Sequence, residues 1–207
     1  MDSHITKKND TVIKQEVDSW LENINTDLKA INPAYVTIGE VYILLDASWS
    51  MNEYRKLEQA KEGALSYAQE ALSLGYKIGL ISFHTEVWHH TAPTTDLEIF
   101  SSCLKRIHAT GTTNMTEAIR TGAHNLQHPQ LKRMLCIITD GIPDDKRSTL
   151  KEAERVKKLG IDIMTIGTDL ADEAFLKELA SKIMFTKRVE REELSTGISS
   201  MAKKLIG

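Results

Sequence analysis

Residues Val41–Met51 read VYILLDASWSM. The apolar run from Val41 to Leu45 is unbroken, as in a strand covered on both faces. The polar residues arrive together at its end. Asp46, Ser48 and Ser50 alternate, so a carboxylate and two hydroxyls converge if the chain turns over there. Such oxygen donors are hard ligands suited to magnesium, calcium or manganese. An ordinary strand-to-helix turn also uses Asp and Ser, as caps. The rest of the chain separates the two readings.

Downstream, apolar strands alternate with amphipathic helices. Lys77–Phe83 and Met134–Thr139 read as strands, as does Ile161–Ile166, with a short last one at Ile183–Thr186. Glu86–Thr91 is short and bracketed by turn residues, which predicts an antiparallel edge strand. Helices are predicted from about Tyr54 to Leu74, over Asp96–His108, and from Met115 through Leu126. A further helix is capped by Asp144 or Asp145, with Leu150, Ala153, Val156 and Leu159 inward. The last two are capped by Asp172 and span Glu190–Leu205. This alternation predicts an α/β, doubly wound, mainly parallel sheet with helices on both faces. In such sheets the site lies at the carboxyl ends of the strands, where strand order reverses. Two strands end in a carboxylate, Asp46 and Asp140. Between them lies Gly111-Thr112-Thr113-Asn114-Met115, a tight loop whose threonines can reach the same crevice.

Upstream, Ile13, Val17, Trp20, Ile24, Leu28 and Ile31 form one apolar stripe, which predicts a helix over about 10–31 ended by Asn32-Pro33. The expected organisation is an N-terminal extension, 1–38, followed by the main domain, 39–207. Apolar residues make up 41% of the chain, charged residues 27%, and the net charge is −3. This balance gives no general attraction to nucleic acid or anionic membrane. The N-terminus lacks a signal-peptide core, and Cys103 and Cys136 have no disulfide or zinc spacing. A cytoplasmic location is expected. His89 and His90, adjacent in a strand, point to opposite faces and are read as surface residues.

DASWSM, TGTTNM and IITDG, in that order, resemble the von Willebrand factor A domain with its metal-ion-dependent adhesion site, in an intracellular member of prokaryotic or phage type. The resemblance covers about residues 39–205. It carries the family's ligand pattern onto Asp46, Ser48, Ser50, Thr113 and Asp140. Thr113 is selected over Thr112 because it directly precedes Asn-Met. Thr112 stands where the family's run usually has Gly. The resemblance implies sheet order 3-2-1-4-5-6 with strand 3 antiparallel at the edge. It also implies that the hydroxyls bind a divalent cation directly, most simply Mg2+, with Ca2+ or Mn2+ as alternatives, while the two carboxylates act directly or through water.

The function then expected is non-enzymatic: a metal-dependent adaptor whose cation takes an Asp or Glu carboxylate from a protein partner. The binding rim is expected to carry Trp49, Met51, Tyr54 and Trp88. Family members of this kind serve AAA+ ATPase or stress-response assemblies. A phosphotransferase of the haloacid dehalogenase type would need an Asp where Ser48 stands. There is no nucleophile elbow or phosphate-binding loop. His84, at the end of the second strand, is the one side chain considered as a general base. The remaining alternative is a metal-free adaptor docking through its N-terminal helix.

Overall fold

In the computed structural model, which describes residues 37–168 and 171–206, every residue of strand β1, Gly39–Asp46, is buried. That is what an apolar run flanked by strands and covered on both faces requires. β1 pairs in parallel with β2, Tyr76–Phe83, on one side and with β4, Lys132–Thr139, on the other. The antiparallel edge strand β3, Val87–Thr94, follows β2 directly. Beyond β4 lie β5, Asp162–Thr168, and β6, Thr186–Val189, both parallel. The order is β3-β2-β1-β4-β5-β6. It reverses between β1 and β4, so Asp46 and Asp140 leave neighbouring strands at the switch point.

Helices cover both faces. Odd-numbered side chains of β1, Val41, Ile43 and Leu45, pack with α1, Lys56–Ser73, α2, Leu97–Lys105, and α6, Leu194–Met201. Tyr42 and Leu44 face α3, Met115–Asn125, α4, Lys146–Lys158, and α5, Glu173–Leu179. Caps fix the helix starts. Asp96, Asn114, Asp145 and Asp172 each accept a hydrogen bond from a backbone N–H of the turn that follows, satisfying donors that the helix cannot.

Several expectations need correction. The first helix begins at Lys56, not Tyr54. Trp49–Arg55 is a kinked 3-10 segment, and Tyr54 and Arg55 both lie in the left-handed region, at φ 51° and 58°. Leu159 is half exposed, not inward, because the helix has already ended before Gly160 turns the chain at φ 71°. The last strand starts at Thr186. Ile183–Phe185 is a 3-10 turn that leaves Ile183 in solvent and buries Phe185. The final helix is α only over Leu194–Met201, flanked by 3-10 turns, yet Leu194, Ile198, Met201, Ala202 and Leu205 are all buried as the period requires. The helix expected at about 10–31 lies outside the described residues.

Candidate metal centre

At the end of β1 the chain turns over sharply. The Ala47 N–H donates to the Phe83 carbonyl (2.8 Å), and the Ser48 N–H to Asp46 Oδ1 (2.8 Å). The second oxygen of Asp46 accepts from Thr139 Oγ1 (2.6 Å) across the strand boundary. Ser48 Oγ lies 3.1 Å from Ser50 Oγ, which donates to Asp140 Oδ1 (2.8 Å). Four of the five expected ligands, Asp46, Ser48, Ser50 and Asp140, are thus joined in one polar cluster. Asp46, Ser48 and Asp140 are nearly or fully buried. Burial pushes the Asp46 carboxyl up to about 6, against the lowering effect of its hydrogen bonds from Thr139 and Ser48, and the nearby Asp140 charge adds to the rise.

The loop that carries Thr113 is tied to the turn after β1. The Thr110 N–H donates to the Ala47 carbonyl (2.8 Å) and the Trp49 N–H to the Gly111 carbonyl (3.1 Å), which stitches the two turns together. Gly111, at φ 67°, passes so close to Thr85 that a Cβ would meet Thr85 Oγ1 at 2.3 Å. The next loop is tied in by Asp144, which accepts from the Thr113 N–H (3.1 Å) and from Thr112 Oγ1 (2.8 Å). Thr113 is nearly buried. Its hydroxyl takes no part in the hydrogen bonds that join the other four ligands among the described residues.

Of the expected rim, Trp49, Tyr54 and Trp88 are more than half exposed. Met51 is not: it is wholly buried in the core with Leu45 and Leu57. The 3-10 turn points it inward, so it cannot contact a partner. Tyr54 lies under the Arg191 guanidinium, 4.0 Å from the ring centroid, a cation–π contact that steadies the loop. His84 Nδ1 accepts from the Glu86 N–H (3.1 Å), so one ring nitrogen is used in building its own turn. His89 and His90 do face opposite sides of β3. Each holds a hydroxyl, Tyr42 and Ser82 respectively, at 2.7 Å, so they are structural as well as superficial.

Sequence reasoning missed three residues. Thr139 orients Asp46, and Asp144 ties down the threonine loop. Lys56, 2% exposed, places its ammonium on Asp140 Oδ2. A signal for Lys56 existed. A lysine in the first turn of a helix opposes the helix dipole, where acidic residues are favoured.

The four clustered side chains Asp46, Ser48, Ser50 and Asp140 offer only oxygen donors, the chemistry that fits a hard divalent cation. Among the described residues no group of three or more His, Cys, Asp or Glu could hold a metal ion, so a cation here would depend on the serine and threonine hydroxyls. Grooves of about 550 and 490 Å3 run along α3 and α4, and none of the five expected ligands lines them. Their Arg120 and Arg155 are paired with Glu117 and Glu152.

The family model of the von Willebrand factor type A domain matches residues 40–200. No curated protein matches the chain. Similar solved structures include the von Willebrand factor domain of the type V pili tip protein Mfa5 from Porphyromonas gingivalis, at TM-score 0.74 and 13% identity, covering 83% of this chain and 96% of that one. Manganese-loaded TRAP protein of Plasmodium vivax gives TM-score 0.67 and 16% identity, covering 83% and 75%. The proximal thread matrix protein 1 of the mussel byssus, with a zinc-occupied adhesion motif, gives 0.68 and 14%, covering 83% of this chain but 47% of its own. The chain therefore spans about half the length of the mussel protein. Identities this low show the shared fold.

Proposed function

Because the chain belongs to the von Willebrand factor type A domain family, a family of protein–protein interaction modules that are generally non-enzymatic, we propose that it is a metal-dependent adaptor binding a carboxylate of a protein partner. The observation that carries this reading is the single polar cluster of Asp46, Ser48, Ser50 and Asp140 at the ends of β1 and β4. Ser48, Ser50 and Thr113 would hold the ion through neutral hydroxyls. Asp46 and Asp140, whose oxygens already accept from Ser48, Thr139, Ser50 and Lys56, would stand behind them. A hard divalent cation held in this way supplies a Lewis-acidic position that an outside carboxylate oxygen completes. Zinc and manganese in two relatives support a divalent ion; magnesium is our choice for this chain.

The residues around the cluster shape what can approach. Trp49 lies between two ligands and is 67% exposed, so it can pack on an inserted segment and exclude water from the contact. Tyr54 and Trp88, also exposed, complete the proposed rim. A second carboxylate in the role of general acid is missing where Ser48 stands, which leaves the phosphotransferase alternative without its chemistry. An AAA+ ATPase or stress-response assembly as partner, and a cytoplasmic location, follow from the resemblance alone and form part of the proposal. The test is an affinity capture from the native host with and without EDTA, comparing wild type with Asp46→Ala. Partners lost both on chelation and on substitution support the reading. Partners indifferent to both would sink it.

A further inference from the structure

Lys56 occupies an unfavourable position on three counts. Its ammonium is buried, and removing a charge from water is costly. It sits in the first turn of α1, at the positive end of the helix dipole. It is delivered there by two consecutive left-handed non-glycine residues, Tyr54 and Arg55, conformations that persist only when the surroundings hold them. An apolar side chain of similar length would fill the same space without the charge. What the lysine adds is an ion pair with Asp140 Oδ2 in the middle of the polar cluster. The other nearby acid, Glu53, is 3.9 Å away and mostly exposed.

We propose that Lys56 is a built-in counter-cation of the metal site, sharing Asp140 with the bound ion and thereby weakening the ion's hold. This deepens, and rests on, the metal-dependent reading above. Asp140 has one oxygen on Ser50 and the other on Lys56, so its negative charge is already answered from within the chain. A metal arriving at Ser50 meets a like charge across the same carboxylate. Two results follow. Without metal, Asp140 is not left as an unpaired buried charge, so the chain stays folded when the ion departs. With metal, the site is short of negative charge, and a partner's carboxylate supplies it. Lys56 is thus a positioning and charge-setting residue, and binding of the ion is coupled to binding of the partner.

The experiment uses the full chain as wild type, Lys56→Met and Lys56→Gln. The Mn2+ dissociation constant is read from the free-ion signal in electron paramagnetic resonance, and melting is followed in EDTA and in Mn2+. The expected result is at least tenfold tighter Mn2+ binding in both variants. Their melting points should fall below wild type in EDTA and recover with Mn2+. A variant that folds only with Mn2+ also supports the proposal, since the ion then replaces the ammonium. Equal or weaker Mn2+ binding by a folded variant overturns it. So does failure of both variants to fold even in Mn2+, which would make Lys56 a structural ion-pair partner. If wild type and both variants all bind no Mn2+, the metal-site reading itself has failed. If wild type binds and the variants show no gain, only the role of Lys56 has.

Discussion

Replacing Asp46 with asparagine should stabilise the metal-free protein while destroying the site. Asp46 is wholly buried, and its carboxyl is raised from 3.8 to about 6, chiefly by burial. A raised folded value means that the fold prefers the protonated acid. The preference is fully available below 3.8 and is lost as pH rises through about 6, so above that value the charged form costs stability. A difference of about two pH units at about 1.4 kcal/mol each sets an upper bound of about 3 kcal/mol. Asparagine has the same shape. Its carbonyl oxygen can accept from the Ser48 N–H, and its amide can meet the Thr139 hydroxyl. For a domain of this size each kcal/mol moves the melting point by roughly 2–4 °C, so a rise of up to roughly 10 °C is expected in EDTA well above pH 6. The gain should shrink toward zero near pH 4, where the wild-type acid is already neutral. Thermal melts by circular dichroism across that range decide it. A destabilised Asp46→Asn above pH 6, or an effect equal at both ends of the range, would refute the electrostatic account of the site.

Other expectations concern the same cluster. Thr139→Val removes the hydroxyl that donates to Asp46 Oδ2 and should cost about 1.5–3 kcal/mol in urea unfolding near neutral pH, the range for a hydrogen bond to a charged group. Trp49→Ala removes an exposed side chain, so melting and Mn2+ affinity should stay at wild-type values while the partner complex weakens by about tenfold or more, as for an interface anchor. A loss of Mn2+ affinity in that variant would show that the indole supports the turn rather than the partner.

The inner strands β1, β2, β4 and β5 are readable because each carries a buried apolar run, and because the runs of β1 and β4 lead into a carboxylate, whereas the edge strands β3 and β6 are largely polar. Buried parallel strands leave no other pattern open to the chain. Strand order was not readable from periodicity and came from the family resemblance. The misplacements have physical causes. The sequence reads as helical from Tyr54 because Tyr54 and Arg55 carry ordinary side chains, and nothing local announces their left-handed backbone, which is accompanied by a contact distant in sequence, Arg191 over Tyr54. Met51 reads as a rim residue from its nearness to the ligands, yet one turn of 3-10 helix is enough to send it into the core. Leu159 fits the helical period but falls where the helix has already ended. The position of Lys56 against the helix dipole is visible in the sequence, but charged residues at a helix start are commonly solvated, and the ion pair with Asp140 across 84 residues shows where its ammonium goes.

The most direct measurement is a calorimetric titration of Mn2+ into the full chain, with Asp140→Ala as its control. Asp140 receives both Ser50 and Lys56, so its loss dismantles the cluster. Wild type should bind with a dissociation constant of about 1 µM to 1 mM, the range of open oxygen-ligand sites, and Asp140→Ala should give no heat beyond dilution. Matching heats from the two proteins would contradict the account.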